Sequence, residues 1–348
     1  MLHGRPQKST TKGTTVKLRE IYETAVRMGI EADPRGKTGV DEFLARTQKR
    51  YDSLPDHLKE LADPEELTNP FNDTRIYVGD PDTEVTTLLG GIDMNPAEVL
   101  LADRLREKGT QIDAIYTHHP EGWGLTRLDN VMEVQADIWA TLGVPIQAGE
   151  KLIFERMDEV RRRLMPMNYD QAVDVARLLD VPFFSAHTPT DNLVVDFLNR
   201  WFAKKKPSTL EDVQKALLEI PEYRIAAQKG AGPYMGKSGG TSRAGKIWID
   251  MTGGTEGPKK VVEKLADAGV GTIVGMHMGQ ELRDEADKHS IHVVIAGHMS
   301  SDSLGINLFL DELERNGVKT VATSGLIRVH RDKKGKVTGE EPGAVPRR

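Results

Sequence analysis

Four runs of β-forming, apolar residues in this chain end on histidine. Ile115-Tyr116-Thr117 leads into His118-His119, and Phe183-Phe184-Ser185-Ala186 into His187. Ile273-Val274-Gly275-Met276 leads into His277, and Val293-Val294-Ile295-Ala296-Gly297 into His298. Carboxylates stand four residues beyond two of them, Asp191 after His187 and Asp302 after His298. Imidazole with carboxylate is the ligand set of a divalent metal centre. Buried strands of an α/β sheet bring such residues to their carboxyl ends, where these sheets bind ligands. The pattern predicts a metalloprotein, and within that class a hydrolase.

Composition narrows the chemistry further. There is no cysteine, which removes disulfides, thiolate zinc sites and cysteine nucleophiles and leaves histidine and carboxylate as the metal donors. Aromatics make up 5% and the formal net charge is −6, which argues against nucleic acid as a partner. No apolar stretch approaches the ~20 residues that span a bilayer, and the N-terminus lacks the apolar core of a signal sequence. The expectation is a cytoplasmic protein with no membrane and no nucleic-acid partner, acting on a small molecule.

The elements that position these residues follow from periodicity. Residues 1–15, rich in Lys, Thr, Ser and Gly, read as a disordered N-terminus. Residues 16–75 read as a helical extension, with Leu18, Ile21, Ala25 and Met28 at helical spacing, Gly29 as a stop, and a second helical region over 40–62. This segment carries no expected chemistry, and His57 within it reads as inert. From 76 the texture becomes strand alternating with helix, an α/β architecture with mainly parallel pairing. Strands are expected at 85–92, 112–117, 182–186, 246–251, 272–276 and 292–296, and a final helix at 302–315. Asn95-Pro96 supplies a helix start. The divisions are a first lobe over 76–245 with a helical insertion near 120–181, a second lobe over 246–331, and a flexible tail over 332–348. The halves share the order strand, glycine pair, helix, strand, histidine, which suggests two lobes with the metal cleft between them.

Each cluster has its own logic. His118 and His119 follow a strand end, so their imidazoles can serve two different metals of a close pair, and Pro120 fixes the exit. Asp191 falls in the first turn of a helix, where the helix dipole favours a carboxylate on its own account. His298 and Asp302 lie one helical turn apart and can reach a common ion. The run from Ala231 to Ser238 fits a relaxed phosphate loop, but Gly239-Gly240-Thr241-Ser242 is a poor helix start, and such a loop must open into a helix. It reads instead as a loop beside the cleft that offers Lys237 and Arg243 to an anionic substrate.

Tyr116-Thr117-His118-His119-Pro120, Ser185-Ala186-His187-Thr188 with Asp191, and Gly297-His298 with Asp302 resemble the three signatures of the NGG-one-interacting-factor-three-like proteins. That family is also called GTP cyclohydrolase one, type two. Gly91-Ile92-Asp93 and the following helix resemble its first strand-helix unit, and the likeness spans about residues 80–330. The resemblance implies a dinuclear metal centre in a two-lobed α/β fold, assembled as a homo-oligomer, usually a hexamer. It implies His118 and Asp191 on one ion, His119 and His298 on the other, and Asp302 in place of the bridging carboxylate. That carboxylate is usually glutamate, so with Asp302 either the helix sits closer or only one ion is held. The segment 120–181 is longer than the usual spacing, and the extension at 16–62 lies outside the common core.

Two metals about 3.5–4 Å apart share a water and lower its pKa, so the expected nucleophile is a metal-bridged hydroxide. The donor set suits zinc, iron or manganese alike. His187, His277 and Glu121 are placed around the rim, for proton transfer or to hold a ligand in position. The alternatives are a metal-binding or metal-handling protein without turnover, and a mononuclear phosphoesterase.

Overall fold

The structure is a computed structural model, in which residues 15–236 and 239–341 are described. Two sheets organise it. The first has five strands in the order Lys319–Ala322, Thr87–Gly91, Ala114–Thr117, Phe183–Ser185 and Ile76–Val78. Its first four strands are parallel and the last pairs antiparallel. The second has three parallel strands, Lys246–Asp250, Val270–Gly275 and His292–Ile295, in that order. The α/β class and the paired sheets agree with the expectation from sequence.

Three segments depart from the expected divisions. Lys319–Ala322, expected in the second lobe, returns to the first sheet and pairs in parallel with Thr87–Gly91. The expected insertion contributes helices Val134–Leu142 and Ile146–Leu164, whose Trp139 and Ile153 pack with Trp248 and Ile273 of the second sheet. Helices Thr188–Lys205 and Leu210–Leu218 belong to the cluster containing Ile249, Val274 and Val294. Helices placed in the first lobe by chain order therefore build the core of the second.

The N-terminal segment is part of the core rather than a cap. Helix Leu18–Glu31 runs through Gly29 and buries Leu18, Ile21, Tyr22 and Ala25 against Leu88, Tyr116 and Phe184 of the first sheet. At the other end, Val337–Glu340 pairs antiparallel with Val329–Arg331, so part of the expected flexible tail is a hairpin. Asp332 and Gly335 close its turn, and Val337 packs on Val329 and Ile327. Residues 1–14, 237–238 and 342–348 lie outside the described residues, and with them most of the expected disordered N-terminus, Lys237 and the end of the tail. Among the described residues, no helix is long and apolar enough to cross a membrane.

Two helices carry the chemistry. His298–Arg315 starts directly after Gly297, whose φ of 116° suits a residue without a side chain. This helix crosses Thr188–Lys205 at Gly305, where a Cβ would stand 2.2 Å from the Thr190 carbonyl oxygen. Only glycine allows the two backbones to come that close.

Candidate metal centre

The carboxyl ends of both sheets meet at one cavity of about 60 Å³. Ala114–Thr117 delivers His118 and His119, Phe183–Ser185 delivers His187, and Thr87–Gly91 leads to Asp93. From the second sheet come Asp250, His277 and His298. His298 begins its helix rather than preceding it, one turn ahead of Asp302 as the spacing predicts.

Five side chains turn their donor atoms toward one another. His118 Nε2 lies 3.5 Å from Asp191 Oδ1 and 3.6 Å from Asp302 Oδ1. On the other side, Asp302 Oδ2 lies 3.6 Å from His119 Nε2 and 3.4 Å from His298 Nε2. Bonds of 2.0–2.2 Å to a tetrahedral ion separate its ligands by about 3.3–3.6 Å, so these separations would fit around a metal ion. His118 Nε2, Asp191 Oδ1 and both Asp302 oxygens are buried and have no hydrogen-bond partner. Buried polar atoms are almost always paired, and four orphans in one cluster fit an ion as the missing partner. The shorter Asp302 still presents one oxygen to each pair of donors. His187 belongs to the same cluster, with Nε2 3.7 Å from Asp191 Oδ2 and its ring 4.8 Å from that of His118.

The far nitrogen of each ring is held. His119 Nδ1 meets Asp93 Oδ1 at 2.6 Å, and His187 Nδ1 meets Asp73 Oδ2 at 2.7 Å. His118 Nδ1 meets Thr190 Oγ1 at 2.9 Å, while that hydroxyl donates to the Ala186 carbonyl. Facing acceptors, all three Nδ1 atoms carry the hydrogen, which leaves Nε2 with its lone pair toward the cluster.

Electrostatics prepare the same state. Burial holds the His118 imidazole well below its usual value, with His187 and His119 adding to the effect. Burial likewise brings His298 down to about 4. Burial raises Asp191 well above the carboxylate range, helped by the charges of Asp302 and Asp73, and burial also raises Asp302. The two histidine shifts favour the neutral form of His118 and His298, the form that can bind a metal.

The remaining expected residues are spread around the rim. His277 lies 4.9 Å from the His298 ring and 3.3 Å from Glu256 Oε1, and that hydrogen bond raises its pKa. Glu121 lies behind the His-His-Pro turn, where burial pushes its carboxyl up to about 7. Arg243 is exposed, bridges Thr209 through its backbone and does not line the cavity, so it is not placed for a substrate there. A second group, Asp311, Glu314 and His330, is already neutralised by the buried Arg328.

Sequence reasoning missed Asp73, Asp93 as a histidine partner, Asp250 and Glu256. Asp93 and Asp250 follow the strand-end rule that located the histidines, so their signal was present. Asp73 lies in the segment read as devoid of chemistry, and only the tertiary fold brings it to His187.

A two-sheet α/β fold with a histidine and carboxylate cluster capable of binding metal defines the class of this protein. Among its solved-structure neighbours are proteins described as NIF3 superfamily members or relatives. The chain has the fold of the NIF3 superfamily protein from Sphaerobacter thermophilus, at 24% identity and a TM-score of 0.68, over 90% of this chain and 100% of that one. It is more distantly similar to HcgD from Methanocaldococcus jannaschii, at 16% identity and a TM-score of 0.46, over 76% of this chain and 94% of that one. A Bacillus cereus protein related to NIF3 shares 12% identity with a TM-score of 0.44, over 92% of this chain and 99% of that one. No protein-family model and no curated protein matches the sequence.

Proposed function

We propose that the protein belongs to the NIF3-like family and is a dinuclear metal-dependent hydrolase of a small molecule. The four unpartnered, buried donor atoms of His118, Asp191 and Asp302 carry this reading. His118 and Asp191 would hold one divalent ion and His119 and His298 the other, with Asp302 placed between the two pairs. Zinc, iron or manganese would supply Lewis acidity and an activated water at neutral pH.

The chain's own residues do the rest. Asp93 and Thr190 orient two liganding rings, and Asp73 orients His187 beside them. His277, fixed at Nδ1 by Glu256, stands at the cavity wall and moves a proton through Nε2 to the departing group. The cavity of about 60 Å³ is sized for a small reacting group. Hydrolytic opening of a purine ring, as the cyclohydrolase name suggests, is the first reaction to assay. The proposal is completed by a cytoplasmic homo-oligomer, a hexamer by resemblance.

Elemental analysis of the purified protein tests this directly. Two equivalents of metal per chain are expected, with reduced content in His119→Ala and His298→Ala and their fold retained by circular dichroism. Unchanged content in both variants overturns the ligand assignment. Two ions that leave readily to a competing chelator, with no turnover of any substrate, would instead support a metal-handling protein.

A further inference from the structure

The cavity has two walls of different origin. One is the cluster of candidate ligands. The other comes from the second sheet and its loops, and it includes Asp250, Thr252, Thr255, Glu256 and His277. Glu256 is engaged, because its Oε1 accepts hydrogen bonds from His277 and from the Gly279 backbone N–H. Asp250 is not. Among the described residues its carboxyl has no hydrogen bond and no ion pair, and burial pushes it up to about 7, with His277 opposing the rise and Glu256 adding to it. A partly buried carboxylate without a donor is costly, and a ligand that brings an N–H removes that cost.

The charge balance points the same way. Two divalent ions would be offset by four carboxylates, Asp191 and Asp302 within the cluster and Asp250 and Glu256 opposite. Among the described residues, no lysine or arginine lines the cavity. Sites that handle phosphoryl groups place arginine, lysine or further metal charge around the equatorial oxygens. Here a phosphate dianion would face the Asp250 carboxyl and the His277–Glu256 pair instead.

Building on the dinuclear reading above, we propose that Asp250 is a specificity-determining residue, a carboxylate that accepts an N–H from an amide-like group (amide, ureide or amidine) held at the metal centre and that turns phosphate groups away. The carbonyl or imine end of such a group faces the ions and its N–H faces Asp250. The chemistry favoured by this wall is cleavage beside nitrogen rather than at phosphorus.

Calorimetric titration of the metal-loaded protein with acetohydroxamate and with inorganic phosphate tests the assignment. Acetohydroxamate offers oxygens to the metals and an N–H to the opposite wall. It is expected to bind more tightly than phosphate. Asp250→Asn should retain both ions, weaken acetohydroxamate at least tenfold, and strengthen phosphate severalfold. Phosphate binding more tightly than acetohydroxamate in the unaltered protein overturns the assignment and favours a phosphoesterase. Unchanged acetohydroxamate affinity in Asp250→Asn overturns it as well. A protein that takes up no metal overturns the dinuclear reading, and this one with it, whereas a fully loaded protein that prefers phosphate overturns this one alone.

Discussion

Replacing Asp302 by asparagine should stabilise the metal-free protein and abolish its stabilisation by metal. In the metal-free state both Asp302 oxygens are fully buried and face three imidazole Nε2 atoms at 3.4–3.6 Å. The Nε2 atoms of His118 and His119 are acceptors, because their Nδ1 atoms carry the hydrogen, and His298 is neutral at pH 7. Asparagine keeps the shape, removes the charge and offers two N–H donors to those lone pairs. Relief of a buried unsatisfied polar group is worth about 1–3 kcal/mol. With an unfolding entropy of about 2.1 cal/mol/K per residue over 348 residues, this raises the metal-free Tm by roughly 1–4 °C. Loading reverses the order. At a free metal concentration of 100 Kd, each ion adds about 2.7 kcal/mol to the unaltered protein, and the variant, lacking the shared carboxylate, gains little. Differential scanning calorimetry in chelator and in excess zinc measures both quantities. A lower Tm for Asp302→Asn in chelator, or an intact metal-induced rise, would refute the reasoning.

Metal uptake should release protons, and the release should grow as pH is lowered. The raised Asp191 and Asp302 carboxyls hold protons that the ions displace, whereas His118 and His298 are already neutral; calorimetry in two buffers of different ionisation enthalpy counts them, and a pH-independent count contradicts the assignment. In the metal-free protein these raised carboxyls contribute stability that is complete below their unfolded pKa of ~4 and is lost as pH rises through the folded values. The gap in Tm between loaded and metal-free protein should therefore widen with pH in that range. Asp93→Asn, which alters only the outer partner of His119, should weaken one ion by about 10–100-fold and spare the other; equal loss of both, read by competitive chelation, would argue against separate ion sites. Gly305→Ala should cost about 1–3 kcal/mol in urea unfolding, because its methyl group would meet the Thr190 carbonyl of the neighbouring helix. It should also loosen metal binding, since Thr190 holds His118.

The residues facing the candidate ions were legible in the sequence because the information is local. An apolar strand that ends on histidine, or a histidine one helical turn before an aspartate, carries its meaning within a few positions. The six strands expected between 85 and 296 were legible for the same reason, with ends shifted by only a residue or two, whereas Ile76–Val78 and Val337–Glu340 were not. What escaped depends on contacts between distant segments. Helix periodicity shows that Val134–Leu142 has a face to bury but not which sheet receives it, and that sheet is the second. Lys319–Ala322 reads as a strand, yet its partner Thr87–Gly91 lies more than 200 residues earlier. Asp73 sits among turn-forming residues without periodicity, and its role exists only because the fold closes it over His187.

The helix His298–Arg315 hangs from the last strand of the second sheet, but its Ile306, Phe309 and Leu310 pack in the core of the first. The candidate ligands therefore draw on both cores: His118 and His119 end a strand of the first sheet, Asp191 lies on a helix packed in the second core, and the His298 helix reaches both through Leu304 and Ile306. Ions held between them would pin the two cores to each other, so the loaded protein should unfold as a single cooperative unit.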